Sequence, residues 1–140
     1  MVVLKKSYFY NYMVQHITEG ICITVEIFYS HEKSNPYLND YFFVYRVSID
    51  NNANFPVKLL RRHWHIFDSN GTYREVEGEG VVGLQPVLEA GESHQYVSGV
   101  NLRTDLGRMI GHYQMENLMN KKLIRVNIPE FDLIAPFKLN

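Results

Sequence analysis

The chain has 140 residues, 46% of them hydrophobic and 14% aromatic, and its 15 acidic and 14 basic side chains give a formal net charge of -1. This composition excludes disordered and fibrous proteins, and the length suits one domain with its own hydrophobic core. A near-neutral charge gives no basis for expecting a nucleic-acid partner, and no apolar run approaches the ~20 residues of a membrane-spanning helix, so no membrane insertion is expected.

Residues 1–12 differ from the rest, because aromatic side chains crowd positions 8–12 without an accompanying turn. We predict an N-terminal arm at 1–12, outside the natural core, and a single β-sandwich domain at 13–140. Lys5 and Lys6 are not followed by a continuous apolar segment, so no secretory signal is expected. The single cysteine, Cys22, excludes an internal disulfide and lies in an alternating strand pattern as a small buried side chain. These features predict a cytoplasmic protein.

From Met13 onward, short runs of strand-forming residues alternate with turn sequences. The run at 14–29 has a break near Gly20, and Asp68-Ser69-Asn70-Gly71 is a strong hairpin turn. No long run of apolar residues follows the 3.6-residue period of an α-helix. The expected strands are 14–29 (one or two strands), 41–50, 57–67, 72–77, 94–102, 107–115 and 123–133.

Seven to eight strands at spacings near ten residues favour an all-β antiparallel sandwich. Side chains alternate between the two faces of a strand, so every second residue is expected to face the core. On this basis Phe43, Tyr45, Val47 and Ile49 are expected to share one face of their strand. The residues predicted to lie inward are Leu60, Trp64, Ile66, Met109, Tyr113 and Met115.

A glycine-rich connection at 78–86 contains Gly-x-Gly-x-x-Gly, the spelling of a dinucleotide-binding loop. That loop binds phosphate when it follows a strand and opens a helix. Here Val81 and Val82 are β-branched and Pro86 follows closely, so a helix is not expected. Glu77, directly before this segment, and Glu79, within it, would also repel a phosphate. We therefore predict that these glycines form a tight connection between strands.

Arg61, His63 and His65 project from one face of their predicted strand. A His-x-His pair binds a transition metal when a third ligand arrives from elsewhere, but it is also typical of a solvent-facing sheet surface. We predict the second arrangement, with no bound metal and no cofactor. The same three residues are a candidate patch for contacting an anion. Pairing of these cations with carboxylates across strands is the alternative.

Glu75, Glu77 and Glu79 share one side of the next predicted strand. Magnesium prefers such oxygen ligands, but alternate residues of a strand lie ~6.6 Å apart and do not converge on one ion. A solvated hairpin edge that opposes aggregation is the preferred interpretation. Ser98 is not in the strand-to-helix turn that positions the nucleophile of an α/β-hydrolase. The sequence also shows no pair of carboxylates placed for general acid–base catalysis. We therefore assign no catalytic residue and predict that the protein is not an enzyme.

The order of several motifs resembles the ApaG family from about Thr18 to the C-terminus. The residues that carry this resemblance are Leu59-Leu60-Arg61-Arg62-His63-Trp64, Asp68-x-x-Gly71, Gly78-x-Gly80-Val81-Val82-Gly83-x-Gln85-Pro86, Ala90-Gly91-Glu92, Tyr96-x-Ser98-Gly99, Gly111-His112-Tyr113-x-Met115 and Ile128-Pro129-x-Phe131. The resemblance implies a fibronectin type III-like or immunoglobulin-like sandwich. It also implies an association with cobalt resistance and magnesium efflux, and a role in protein–protein contact.

Together these observations predict a non-enzymatic interaction module that binds an unidentified protein partner through the glycine-rich loop and the adjacent sheet face. The alternative is a small-ligand protein that binds phosphate compounds or divalent cations at residues 78–83. An exposed edge strand also offers a route to a homo-oligomer. The loop residues assigned to partner or ligand binding are Gly78, Gly80, Val81, Val82, Gly83 and Gln85.

Overall fold

The protein is an antiparallel β-sandwich of two sheets, seen in a computed structural model that describes residues 8–136, with side chains from residue 12 onward. One sheet has the strand order β1-β2-β3-β7, and the other has the order β5-β4-β8-β9, with a short β6 also paired to β4. The nine strands of this part of the chain are β1 (Tyr8–Thr18), β2 (Ile21–Ser30), β3 (Tyr41–Asn51), β4 (Val57–Asp68), β5 (Tyr73–Glu79), β6 (Val87–Leu88), β7 (Ser93–Leu102), β8 (Leu106–Asn117) and β9 (Leu123–Ile134).

The predicted all-β sandwich is confirmed, and the expected break near Gly20 is a hairpin turn. Glu19 and Gly20 both have positive φ, at 48° and 81°, which matches the right-handed twist of the β1–β2 hairpin. The strand that the sequence did not predict is β6, which has only two residues. The described residues include one 3-10 turn, Pro36–Leu38, and none of them forms a helix long and apolar enough to cross a bilayer.

The core lies between the sheets and follows the predicted alternation on β3 and β8. Trp64 packs edge-on against Tyr45 and Phe131, with ring centroids 5.4 Å and 5.9 Å away. The expectation for Leu60 is wrong: Leu59 is buried and Leu60 is only half-buried. A β-bulge between Leu59 and Arg61 shifts the register with β8, which reverses the in–out alternation at this point.

The first and last strands meet along one side of the sandwich. Tyr12 on β1 hydrogen-bonds through its hydroxyl to the backbone of Asp132 on β9, and the Asn127 amide donates to Thr18 Oγ1 at 3.3 Å. The predicted boundary after residue 12 therefore cuts within β1, which already begins at Tyr8. Residues 1–7 of the predicted arm lie outside the described residues, and the separate status of the arm stays a prediction.

Candidate functional site

The glycine-rich connection leaves β5 at Glu79 and turns back towards β6 without forming a helix. Its backbone reverses through left-handed conformations at Gly80, Val82 and Gly83, whose φ angles are 62°, 47° and 76°. Val81 and Leu84 close the turn by exchanging backbone hydrogen bonds of 2.8 and 3.0 Å. Gly80 and Gly83 therefore belong to a tight connection between strands, as predicted, whereas Gly78 lies within β5.

The bulge in β4 holds this connection in place. It presents the Leu60 carbonyl to the loop, where the oxygen accepts hydrogen bonds from the Gly80 amide at 2.9 Å and from Gln85 Nε2 at 3.0 Å. The Leu59 amide donates to the Pro86 carbonyl at 3.0 Å. Both ends of the connection are thus fastened to β4, and the side-chain amide of Gln85, predicted to contact a partner or ligand, contributes to that support.

Arg62 supports the loop from the neighbouring strand. Its Nη1 donates to the carbonyls of Glu79 and Gly80 at 2.9 and 3.0 Å. Gly78 lies opposite Arg62 in the β4–β5 register, and a Cβ at that position would lie 3.1 Å from Arg62 Nη1. The first glycine of the motif therefore makes room for a guanidinium group that caps the carbonyls of the turn. The sequence analysis did not assign this role to Arg62.

The turn separates its two valines. Val81 is 1% exposed and belongs to the core, whereas Val82 is 64% exposed. The prediction that Val81 offers an apolar surface to a partner is therefore not supported, because its side chain is directed inward. Leu84, at 57% exposure, lies on the same connection as Val82, and Val87, at 48% exposure, is the first residue of β6, directly after it. These three side chains, Val82, Leu84 and Val87, form what we call the loop apolar set.

Beneath the loop, three tyrosines carry their hydroxyl groups inside the sandwich. Tyr96 on β7 and Tyr113 on β8 are hydrogen-bonded to each other through their hydroxyls, which joins the two sheets. Burial raises the pKa of Tyr113, and burial likewise raises the pKa of Tyr96. Tyr45, which is hydrogen-bonded to Ser98, also has a pKa raised by burial. This group is neutral at physiological pH.

Arg61, His63 and His65 lie on the outer face of β4, and each faces a carboxylate of β5. Arg61 Nη2 lies 3.6 Å from Glu77 Oε1, and His63 Nδ1 lies 3.8 Å from Glu77 Oε2. Glu75 contacts both imidazoles: its Oε2 is 3.3 Å from His63 Nε2 and its Oε1 is 3.6 Å from His65 Nδ1. Arg61 is thus paired with a carboxylate across the hairpin, and both imidazoles face carboxylates as well. An anion bound at this patch would meet two carboxylates, Glu75 and Glu77.

His112 on β8 is paired with His63 in register, and their ring centroids are 5.2 Å apart. Within the described part of the chain, its buried Nδ1 atom has no hydrogen-bond partner. Burial lowers the pKa of His112, with a smaller contribution from Arg125 in the same direction. Sequence spacing alone did not place His112 beside His63.

Comparison with known proteins gives a consistent result. The family model of the ApaG domain matches residues 31–117. The chain is 46% identical over 124 residues to Protein ApaG of Agrobacterium fabrum and, separately, to that of Brucella abortus, covering 89% of this chain and 95% of each relative. The crystal structure of the putative ApaA protein from Bordetella pertussis superposes with a TM-score of 0.80 at 36% identity, over 91% of this chain and 96% of that one.

Proposed function

The chain belongs to the ApaG family, and from this premise we propose that it is a non-enzymatic interaction module. It binds a protein partner through the glycine-rich connection at 78–86 and the sheet face beside it. The observation that carries this proposal is the loop apolar set, in which three apolar side chains close in sequence, from Val82 to Val87, are exposed. Burying exposed apolar groups against a partner removes them from water, which favours a protein contact.

The connection is also suited to binding because its backbone is already fixed. The Leu60 carbonyl, the Arg62 guanidinium and the Val81–Leu84 bridge all hold it in one conformation. A preorganised loop loses less conformational entropy when it binds, so more of the contact energy contributes to affinity. The proposed site therefore combines exposed apolar side chains with a rigid support.

The test is affinity capture from the source cell followed by mass spectrometry. The Val82→Asp and Leu84→Asp double variant should lose the captured partner while the far-UV circular dichroism spectrum is retained. The matched control carries Leu38→Asp and Met13→Asp, whose side chains are similarly exposed, at 69% and 54%, and lie on other elements. The control should capture as the unaltered chain does. Capture that survives in the double variant would refute the proposal.

The second candidate, binding of phosphate compounds or divalent cations at 78–83, has weaker support. The Gly80, Val81 and Leu84 amides already donate to backbone carbonyls, so they do not point at a bound anion. Glu79 adds a negative charge at the entrance to the turn. An NMR titration with pyrophosphate, ATP and magnesium distinguishes the candidates, because saturable shifts confined to 78–83 would favour a ligand site.

We further propose a cytoplasmic location, which the single buried Cys22 supports. Homo-oligomer formation by edge pairing remains a separate proposal. The edge strand β5 is solvent-exposed along most of its length, but it carries Glu75, Glu77 and Glu79, which would repel a second copy. Light scattering across a range of protein concentrations measures the oligomeric state. We expect salt to promote any association through β5, because salt screens the repulsion between the glutamates of the two copies.

A further inference from the structure

The outer face of the β4–β5 hairpin brings two imidazoles and one carboxylate together. His63 and His65 are adjacent outward positions on β4, and their rings are stacked with centroids 4.5 Å apart. One ring nitrogen of each and one oxygen of Glu75 all lie within 4.8 Å of one another. The hairpin register supplies the third group that the sequence pattern alone did not give to the His-x-His pair.

These spacings suit a small divalent ion. Zinc binds nitrogen and carboxylate oxygen at about 2.0–2.1 Å in a tetrahedron, which places neighbouring ligand atoms about 3.3 Å apart. The Glu75 oxygens lie 3.3 Å from His63 Nε2 and 3.6 Å from His65 Nδ1. Rotations of side chains that are 25%, 29% and 47% exposed are sufficient to close the remaining difference. We propose that His63, His65 and Glu75 form a binding site for zinc or a similar transition-metal ion.

Glu77 lies on the side of His63 where a metal-binding histidine has its carboxylate partner, at a separation longer than a hydrogen bond. His63 Nε2 faces Glu75, while its Nδ1 faces Glu77 Oε2 at 3.8 Å. A metal-binding imidazole commonly directs its second nitrogen at a carboxylate, which orients the ring and raises its basicity as a ligand. Glu77 is therefore the positioning residue of the site, and Glu75 is the ligand.

Tyr73 contacts both Glu75 and His65. The Tyr73 hydroxyl donates a hydrogen bond to Glu75 Oε1. Tyr73 also approaches His65 Nδ1 at 2.5 Å. Metal binding requires that nitrogen's lone pair, so the ion displaces the Tyr73 hydroxyl from His65.

The ligand set selects the kind of metal and leaves a position open. Two imidazole nitrogens favour zinc, nickel or copper over magnesium, which prefers six oxygen ligands. Three protein ligands on a solvent-facing sheet leave the fourth tetrahedral position to water. Since two ligands lie on β4 and one lies on β5, the ion also fastens the edge strand from which the glycine-rich connection begins. This site does not depend on the proposed protein-binding role.

Isothermal titration of metal-free protein with zinc chloride tests the site, and we expect one saturable event of micromolar affinity. His63→Ala and His65→Ala should each weaken binding by at least about tenfold. Glu77→Gln should reduce affinity by about 10–100-fold, as expected when a carboxylate that orients a ligand is removed. His16→Ala, an exposed histidine on β1, should change nothing. Absence of saturable zinc binding, or equal weakening in the His16 variant, overturns the proposal.

A second measurement uses the unaltered chain and so does not depend on how the variants fold. Nitrogen-15 NMR of the imidazoles should show zinc-dependent shifts at His63 and His65, and none with magnesium. Shifts at His16 or His94 in place of these two would exclude the site. Zinc should also raise the thermal midpoint in a concentration-dependent way, because it binds the folded hairpin and not the extended chain.

Discussion

The Tyr12 hydroxyl on β1 donates a hydrogen bond to the Asp132 carbonyl on β9 at 2.9 Å, and it also accepts one from the Asp132 amide. These two bonds join strands from opposite ends of the chain and from different sheets. A single phenol therefore satisfies both backbone groups of one residue at the side where the sandwich closes.

Replacing Tyr12 with Phe should lower the free energy of unfolding by about 1–3 kcal/mol, because the change leaves the Asp132 amide and carbonyl without this partner. Urea unfolding followed by fluorescence measures the difference. Tyr37→Phe is the matched control, since Tyr37 is 98% exposed and its variant should behave as the unaltered chain does. Equal stability of the two variants would show that the Tyr12 contact contributes nothing.

Stability should fall as the pH rises above 10. Burial raises the pKa of Tyr12 to about 12 from 10.0, and burial also raises the pKa values of Tyr45, Tyr96 and Tyr113. The unfolded chain releases these protons near pH 10 while the folded chain retains them, so folding is progressively disfavoured above that value. Unfolding midpoints measured between pH 8 and about 12 test the sign. A midpoint that is constant across this range would contradict it.

Gly80→Ala and Gly83→Ala form a matched pair in the glycine-rich connection. Both positions have positive φ, which alone costs a non-glycine residue about 1–2 kcal/mol. A Cβ at Gly80 would also lie 2.1 Å from the Leu84 carbonyl oxygen, whereas at Gly83 it would meet nothing within 4 Å. Gly80→Ala should therefore destabilise the protein by about 1–3 kcal/mol more than Gly83→Ala. Thermal unfolding of both variants gives the comparison, and equal losses would mean that the turn relaxes around the added methyl group.

Arg62→Ala and Arg61→Ala compare neighbouring arginines with different roles. Arg62 donates to two loop carbonyls, so its removal should cost about 1.5–3 kcal/mol and speed hydrogen exchange of the loop amides. Arg61 makes an exposed ion pair with Glu77, and its removal should cost about 1 kcal/mol or less. Hydrogen-exchange mass spectrometry of residues 78–86 measures the exchange rates of the loop amides directly. Faster exchange in the Arg61 variant than in the Arg62 variant would reverse the assignment.

Much of the fold follows from local rules. The in–out alternation of Phe43, Tyr45, Val47 and Ile49 was predicted, because a residue's side on a strand depends only on its immediate neighbours. Leu60 was predicted wrongly because the bulge beside it depends on pairing with β8, which is distant in sequence. The alternation of apolar and polar residues in the sequence predicts which side chains of a strand face the core. The position of a bulge, where that alternation is interrupted, depends on pairing with a strand that is distant in sequence.

The contacts within the candidate sites also depend on strand register. Counting outward from the predicted turn at Asp68–Gly71 would pair Arg62 with Glu77, whereas the structure pairs Arg62 with Gly78 and His65 with Glu75, one residue further along β5. The sequence therefore indicated which two strands form the hairpin but not their register. The approach of His112 to His63 was not available, since it requires the β4–β8 pairing. The burial of Val81 was also hidden, because a left-handed conformation at a β-branched residue, Val82, sends successive side chains in unexpected directions.

The acceptor that positions the glycine-rich connection belongs to a different strand: the Leu60 carbonyl, turned outward by one extra residue in β4, receives both Gly80 and Gln85. The conformation of the loop backbone is consequently fixed by β4. The exposed side chains of the loop make no part of this support, so we expect that substituting them leaves the backbone in place. If this loop is the partner-binding site that we propose, new residues at Val82 and Leu84 would change the partner that it binds while the sandwich beneath stays the same.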